Sequence, residues 1–322
     1  MKKVFIFILF SFMRLGLFSQ TFLMKEAEDF YNAEKYSESL EILNKVLDNN
    51  PKDMEALMNR SCVLSAINEN AEALRDIEIV VKNEPFNLKA IYFRGNIYEC
   101  LGEHLKAIED ESYVLEKLPN FAPAYNIRGY AYKNLNYNEE AIRDFTSAIV
   151  NGLKKNEDVD TYYQNRAYTY YCMGKYDESM SDANTVISLD KNNVEPIILI
   201  SKIYRQKSEI DEAIKWVTKA IKMRPDFYEI YYLRIIEYLQ CNQYENAKSD
   251  LDYIKNRMSG FSAYHSLCAA YYSKIENNDK ALEEYKKSRE LRLNEKDSFV
   301  IQIIESELDF LQAKDLEVID LK

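Results

Sequence analysis

One ten-residue pattern returns along this chain at a nearly constant distance. NYNEEAIRDF at 136–145 is echoed by NENAEALRDI at 68–77, GEHLKAIEDE at 102–111, GKYDESMSDA at 174–183 and SEIDEAIKWV at 208–217. Aligning the small residue within it gives Ser39, Ala73, Ala107, Ala141, Ser179, Ala213, Ala247 and Ala281, at intervals of 34, 34, 34, 38, 34, 34 and 34. A period of this length marks a stacked repeat, in which each unit is one supersecondary element that buries its apolar face only against its neighbours.

Each unit carries helical spacing twice. Tyr125, Arg128, Gly129 and Tyr132 stand at i, i+3, i+4 and i+7, and Ala141, Phe145, Ala148 and Ile149 repeat the stripe. Two amphipathic helices per unit follow. Punctuation agrees with this reading: only seven Gly and six Pro occur in 322 residues, too few for a chain of strands and turns. Pro51, Pro85, Pro119 and Pro225 fall at unit ends, and Pro123 and Pro196 fall in the first turn of a helix, where a missing N–H costs little. Gly102 and Gly174 sit in the turn between paired helices, and Gly95 and Gly129 sit where the two helices must approach closely.

The pattern resembles the tetratricopeptide repeat. The third unit matches it at Ile91, Arg94, Gly95, Tyr98, Ala107 and Pro119 and departs from it at Glu111, where an aromatic is usual. The resemblance spans residues 20–295 as eight units: 20–53, 54–87, 88–121, 122–159, 160–193, 194–227, 228–261 and 262–295. It implies an all-α, right-handed superhelical solenoid of eight helix-turn-helix repeats. Residues 296–322 would close it as a C-terminal capping helix and tail, with Phe299, Ile303, Leu308 and Leu311 at helical spacing. The fourth unit runs four residues long, through NGLKKNEDVD at 151–160, which predicts a loop on one face.

A pair of charges travels with the repeat. Arg60, Arg94, Arg128, Arg166 and Arg234 stand at position 7 of their units, and the same five units carry Asp76, Asp110, Asp144, Asp182 and Asp250 at position 23. The units without the Arg have Ile42, Trp216 and Glu284 at position 23. An Arg on the packing stripe demands a partner, so these are expected to be structural ion pairs, either within a unit or across units. A ladder of arginines for an acidic ligand is the functional alternative.

Positions 2, 5, 9 and 12 of the first helix lie off the packed stripe, and in the resembled family that face lines a concave groove. Here it reads Tyr92, Asn96 and Glu99; then Asn126, Tyr130 and Lys133; then Gln164, Tyr168 and Tyr171; then Ile198, Lys202 and Arg205, with Tyr232 continuing it. Tyrosines with amides and a few cations suit an extended peptide, because rings bury area at low entropic cost and amides satisfy a peptide backbone. Filling space between helices is the other use for any one of these rings. No Lys occupies position 5, so the clamp by which some members of that family hold a terminal carboxylate is absent.

The chain opens MKKVFIFILFSFMRLGLFSQ, two lysines before an apolar run and then small or polar residues, which reads as a secretory signal peptide over 1–19. The FSQ ending resembles exported proteins of the Bacteroidetes group, and the expected location is periplasmic or secreted. Loss of Lys2, Lys3 and Arg14 would take the formal charge from −11 to −14, which disfavours nucleic acid and anionic membranes and leaves no stable membrane insertion. Cys62, Cys100, Cys172, Cys241 and Cys268 are widely spaced and read as small buried apolar residues, with a disulfide in an oxidising compartment as the alternative and no C-x-x-C pair for zinc. His104 and His265 are the only histidines, and neither a phosphate-binding Gly-rich loop nor a nucleophile motif occurs. The reading is therefore a non-enzymatic scaffold, without cofactor or metal, that binds a protein or peptide. A structural subunit of an envelope assembly and a carbohydrate-related accessory protein are the alternatives.

Overall fold

The computed structural model describes residues 21–292. The expected signal peptide, the residues after 292 and the capping helix lie outside that range. Among the described residues every regular element is a helix. They come in consecutive pairs: α1 (21–32) with α2 (Tyr36–Asn49), α3 (Met54–Ala66) with α4 (Asn70–Asn83), α5 (Leu88–Cys100) with α6 (His104–Lys117), and α7 (Ala122–Asn134) with α8 (Asn138–Lys155). Then follow α9 (Asp160–Cys172), α10 (Tyr176–Leu189), α11 (Glu195–Gln206), α12 (Ile210–Met223), α13 (Glu229–Gln240), α14 (Tyr244–Met258), α15 (Ser262–Lys274) and α16 (Asn278–Arg292). The chain divides into two compact units, the first ending at Thr169 and the second starting at Tyr170.

The recurring small residue explains the crossing of each pair. Ser39, Ala73, Ala107, Ala141, Ser179, Ala213, Ala247 and Ala281 are all fully buried, at 0% exposure. Ser39 keeps its hydroxyl satisfied by donating to the Ala27 carbonyl at 2.8 Å. Opposite the second helix lie the close-approach glycines: a Cβ on Gly129 would stand 2.9 Å from Phe145 Cε1, and one on Gly95 would overlap the Glu111 carboxyl.

The turn between paired helices uses one left-handed residue each time: Glu34, Asn68, Gly102, Asn136, Gly174, Ser208, Asn242 and Glu276, with φ between 58° and 76°. Their spacing repeats that of the small residues. Gly takes this conformation freely, Asn tolerates it, and Glu or Ser pays about 1–2 kcal/mol for its Cβ.

In the first compact unit, Leu43, Ile77, Val80, Ile91 and Val114 form a continuous core under α2 to α7. In the second, Ile197, Val217, Ile230, Ile235, Leu251, Ile254 and Leu267 do the same. Each such side chain contributes about 1.5–3 kcal/mol by leaving water.

The extra residues of the fourth repeat form helix rather than a loop. α8 runs 18 residues to Lys155, where its paired counterparts α4 and α6 run 14, and it ends on the left-handed Asn156. Asn151 and Gly152 are buried, and Val159 closes onto Gly152, where an added Cβ would lie 2.7 Å from Val159 Cγ1. The insertion is thus one added helical turn with its own packing.

The cysteines also depart from expectation. All five are free thiols; Cys268 is buried, but Cys100 and Cys172 are exposed because they lie at the last position of α5 and α9, beyond the packed stripe.

Candidate functional site

The position-7 arginines are polar joints between helices. Arg60 donates from Nε to Asp76 Oδ2 at 2.7 Å and from Nη2 to Oδ1 at 2.9 Å, a two-pronged contact from α3 to α4. Arg94 meets Asp110 at 2.8 and 2.7 Å, Arg128 meets Asp144 at 2.7 and 2.8 Å, and Arg234 meets Asp250 at 2.8 and 2.7 Å in the same way. The remaining Nη1 reaches back to the preceding pair: Arg60 to Asn44 Oδ1 at 2.8 Å, Arg128 to Ser112 Oγ at 3.0 Å, Arg166 to Thr146 Oγ1 at 2.9 Å and Arg234 to Thr218 Oγ1 at 3.2 Å. These acceptors stand at position 25 of the preceding repeat, so a single guanidinium bonds within its own hairpin and to the one before. Tyrosines flank it, as Tyr125 and Tyr132 flank Arg128 at 5.6 and 6.0 Å, or Tyr231 and Tyr238 flank Arg234 at 5.5 and 5.6 Å. The arginines are therefore committed to the frame. Asp182 is buried on α10.

Where the Arg is missing the structure substitutes other contacts. Ile200 is fully buried at position 7 of the sixth repeat. In the eighth, His265 Nδ1 lies 2.6 Å from Glu284 Oε2 and its Nε2 lies 2.9 Å from the Ser259 carbonyl. Sequence reasoning assigned His265 no role, because it stands at position 4, three residues before the expected place.

The first-helix face of the first compact unit gathers most of the expected binding residues. Lys133 Nζ sits 3.8 Å above the Tyr130 ring and 5.4 Å from that of Tyr168, so α7 and α9 share one aromatic and cationic cluster. Tyr168 is 45% exposed and offers its ring to solvent. Beside it Asn134 donates to Glu99 Oε1 at 2.8 Å, and Asn165 donates to Asn126 Oδ1 at 2.9 Å. Burial, opposed by His104, Asn134 and Lys133, leaves the Glu99 carboxyl above its usual range. Asn96 and Gln164 are half-buried on the same helices. Tyr92 is different: its ring packs edge-on to Phe121 at 5.1 Å as part of the core margin, and burial pushes its phenol up.

In the second compact unit the expected surface is largely closed. Arg205 and Tyr232 are 2% and 1% exposed, so neither lines an open face. The correction has a packing cause: α13 carries buried residues on nearly every side, Ile230, Tyr231, Tyr232, Leu233, Ile235 and Ile236 among them, and α11 similarly buries Ile197, Leu199, Ile200 and Ile203. Tyr171 accepts from Gln206 Nε2 at 3.4 Å, and Lys202 is half-buried.

A pocket of about 230 Å³ opens at the other end of the first-helix face, among α1, α2, α3 and α5. Glu28, Tyr31, Glu55, Met58, Cys62 and Lys89 line it from positions 2, 5, 9 and 12. The repeat register pointed to these positions, but their mixed chemistry carried no motif. Burial pushes the Cys62 thiol up to about 11, which removes it as a thiolate nucleophile.

Among the described residues no group of three or more His, Cys, Asp or Glu is placed to hold a metal, and no helix is long and apolar enough to cross a membrane.

The family model of the tetratricopeptide repeat matches residues 122–149, 160–193 and 194–227. No curated protein matches the sequence. The structure is similar to the crystal structure of the APC/C hetero-tetramer Cut9-Hcn1, at TM-score 0.60 and 15% identity over 89% of this chain, which shows the fold alone. This chain spans only 55% of that one. Weaker likenesses cover about half of the chain: the crystal structure of MamA, at TM-score 0.45, 23% identity, 51% of this chain and 93% of that one, and a thermophilic TPR protein of Thermus thermophilus, at 0.47, 19%, 55% and 94%. The chain thus carries tetratricopeptide repeats in an all-α repeat fold, a frame that generally mediates contacts between proteins.

Proposed function

We propose that the chain is a non-enzymatic scaffold that holds an extended peptide or protein segment on the first-helix face of its first compact unit, and that it acts outside the cytoplasm after losing residues 1–19. The observation that carries the reading is the cluster of Tyr130, Lys133 and Tyr168, with amides of Asn96 and Gln164 on the same face. Rigid amphipathic rings beside amides match the alternating apolar and polar surface of an extended chain. Arg205 and Tyr232, buried in the second unit, take no part. The arginines of the repeat take none either, since their donors are committed to the frame.

The test is fluorescence anisotropy of a labelled random peptide library on the full chain, with Tyr130→Ala and Tyr168→Ala compared with the parent. Both substitutions should weaken the selected peptides by about tenfold or more while the melting temperature stays put. Undiminished binding would exclude this face. Export is read separately, by N-terminal sequencing of the chain recovered from periplasm and medium; a mature protein that begins at Met1 refutes it.

A further inference from the structure

The pocket among α1, α2, α3 and α5 has a floor and a rim of opposite character. Its floor is Ala27, Leu43, Met58 and Val63, none more than 9% exposed, and the one polar floor residue, Ser39, already donates to the Ala27 carbonyl at 2.8 Å. Its walls are the rings of Tyr31 and Phe93. The rim holds Glu28, Asn32, Glu55 and Asn59, and among the described residues none of these four side chains makes a hydrogen bond or ion pair. Some carboxylates on the second helices are paired along their own helix, as are Glu41 with Lys45 at 2.7 Å, Glu72 with Arg75 at 2.9 Å and Glu140 with Arg143 at 2.9 Å. Two carboxylates and two side-chain amides thus line one pocket with an apolar floor. The one cation lining the pocket, Lys89, lies against Phe93 at 5.7 Å.

We infer that this pocket receives a single arginine side chain from the extended peptide of the proposed function, on which the inference rests. At about 230 Å³ the space is below the roughly 300–1,000 Å³ typical of small-molecule sites and suits one long side chain. The methylene stem of arginine matches the apolar floor, its planar guanidinium stacks on the Tyr31 or Phe93 ring, and its five N–H groups meet the two carboxylates and the two amide oxygens. A glutamate or a peptide carboxylate meets repulsion from the same rim, and a purely apolar side chain gains nothing from its charge. The acidic balance of the whole chain, −11, draws a basic segment toward it.

Methyl-labelled methionine NMR on the full chain tests the pocket directly, because Met58 lies on its floor. The probes are three capped eight-residue peptides of alanine and valine that differ only at one central residue: arginine, citrulline or glutamate. The arginine peptide should shift the Met58 methyl signal and bind at least about tenfold more tightly than the citrulline peptide, and Glu28→Gln with Glu55→Gln should remove that difference. Both glutamates are exposed, so the double variant should melt with the parent. Equal binding of arginine and citrulline peptides, or an unchanged preference in the double variant, overturns the inference. Peptides whose binding Tyr168→Ala weakens while the Met58 signal stays unmoved overturn it and keep the first-helix face as the binding face; peptides that neither move Met58 nor respond to Tyr168→Ala overturn both.

Discussion

Glu111→Met should make the first compact unit more stable and remove a pH dependence that the parent carries. Glu111 occupies the place where Phe145 stands one repeat later, and both of its carboxyl oxygens are buried without a hydrogen-bond partner. Burial pushes its carboxyl well above 4.5; Asp110 on its own helix adds to the shift, and Arg128 from α7 opposes it. Tyr92 faces the same space from α5. The folded state therefore holds this proton more tightly than the unfolded chain. Stability from that proton is complete below pH 4.5 and declines as pH rises toward the folded value, by about 1.4 kcal/mol per pH unit. Methionine has nearly the same length, needs no partner and meets the same gap left by Gly95. Removing an unsatisfied buried group is worth about 1–3 kcal/mol at neutral pH, or roughly 2–12 °C in melting temperature for a unit of this size. Urea unfolding of parent and variant at pH 5 and pH 8 reads both quantities. A variant less stable than the parent at pH 8, or a parent whose stability relative to the variant does not fall between the two pH values, refutes the reasoning.

Arg128→Met should destabilise by about 3–5 kcal/mol, because it strands Asp144 in the interior, and adding Asp144→Leu should recover much of that loss; chemical denaturation of the two variants checks it, and a double variant weaker than the single one counts against the pair. Ser208→Gly should raise stability by about 0.5–1 kcal/mol by relieving the left-handed turn at φ 61°, while Gly102→Ala at φ 76° should lower it by about 1 kcal/mol, both measurable by thermal melts. Gly129→Ala should cost about 1–3 kcal/mol through overlap with Phe145, and Phe145→Leu in the same chain should offset part of it.

The frame was legible because its constraints are local and repeat. A residue that must be small at every crossing, such as Ala73 or Ala141, leaves the same mark each time, whereas the left-handed turn position, filled by Gly, Asn, Ser or Glu, shows itself only at Gly102 and Gly174. The pairing of Arg128 with Asp144 was also visible, since each requires the other. Its third contact was not: Asn44, Ser112, Thr146 and Thr218 have only a hydrogen-bond acceptor in common, and three residue types at one position hide a shared role. The burial of Arg205 and Tyr232 escaped for another reason, because how far position 5 or 12 is covered depends on how neighbouring helices rotate about each other rather than on the residue itself. The pocket at Glu28 and Glu55 lay at positions the register singled out, yet two glutamates on helices ordinarily read as solvated.

The backward reach of Arg60, Arg128, Arg166 and Arg234 makes the repeat an interchangeable part. Because Arg166 asks its predecessor for nothing more than an acceptor oxygen just past the aspartate position, excising residues 122–159 would set Ser112 where Thr146 now stands, and the joint would close on one hydroxyl in place of another. Such a chain can gain or shed whole hairpins by unequal recombination and keep its seams bonded, so its length can change without loss of the frame.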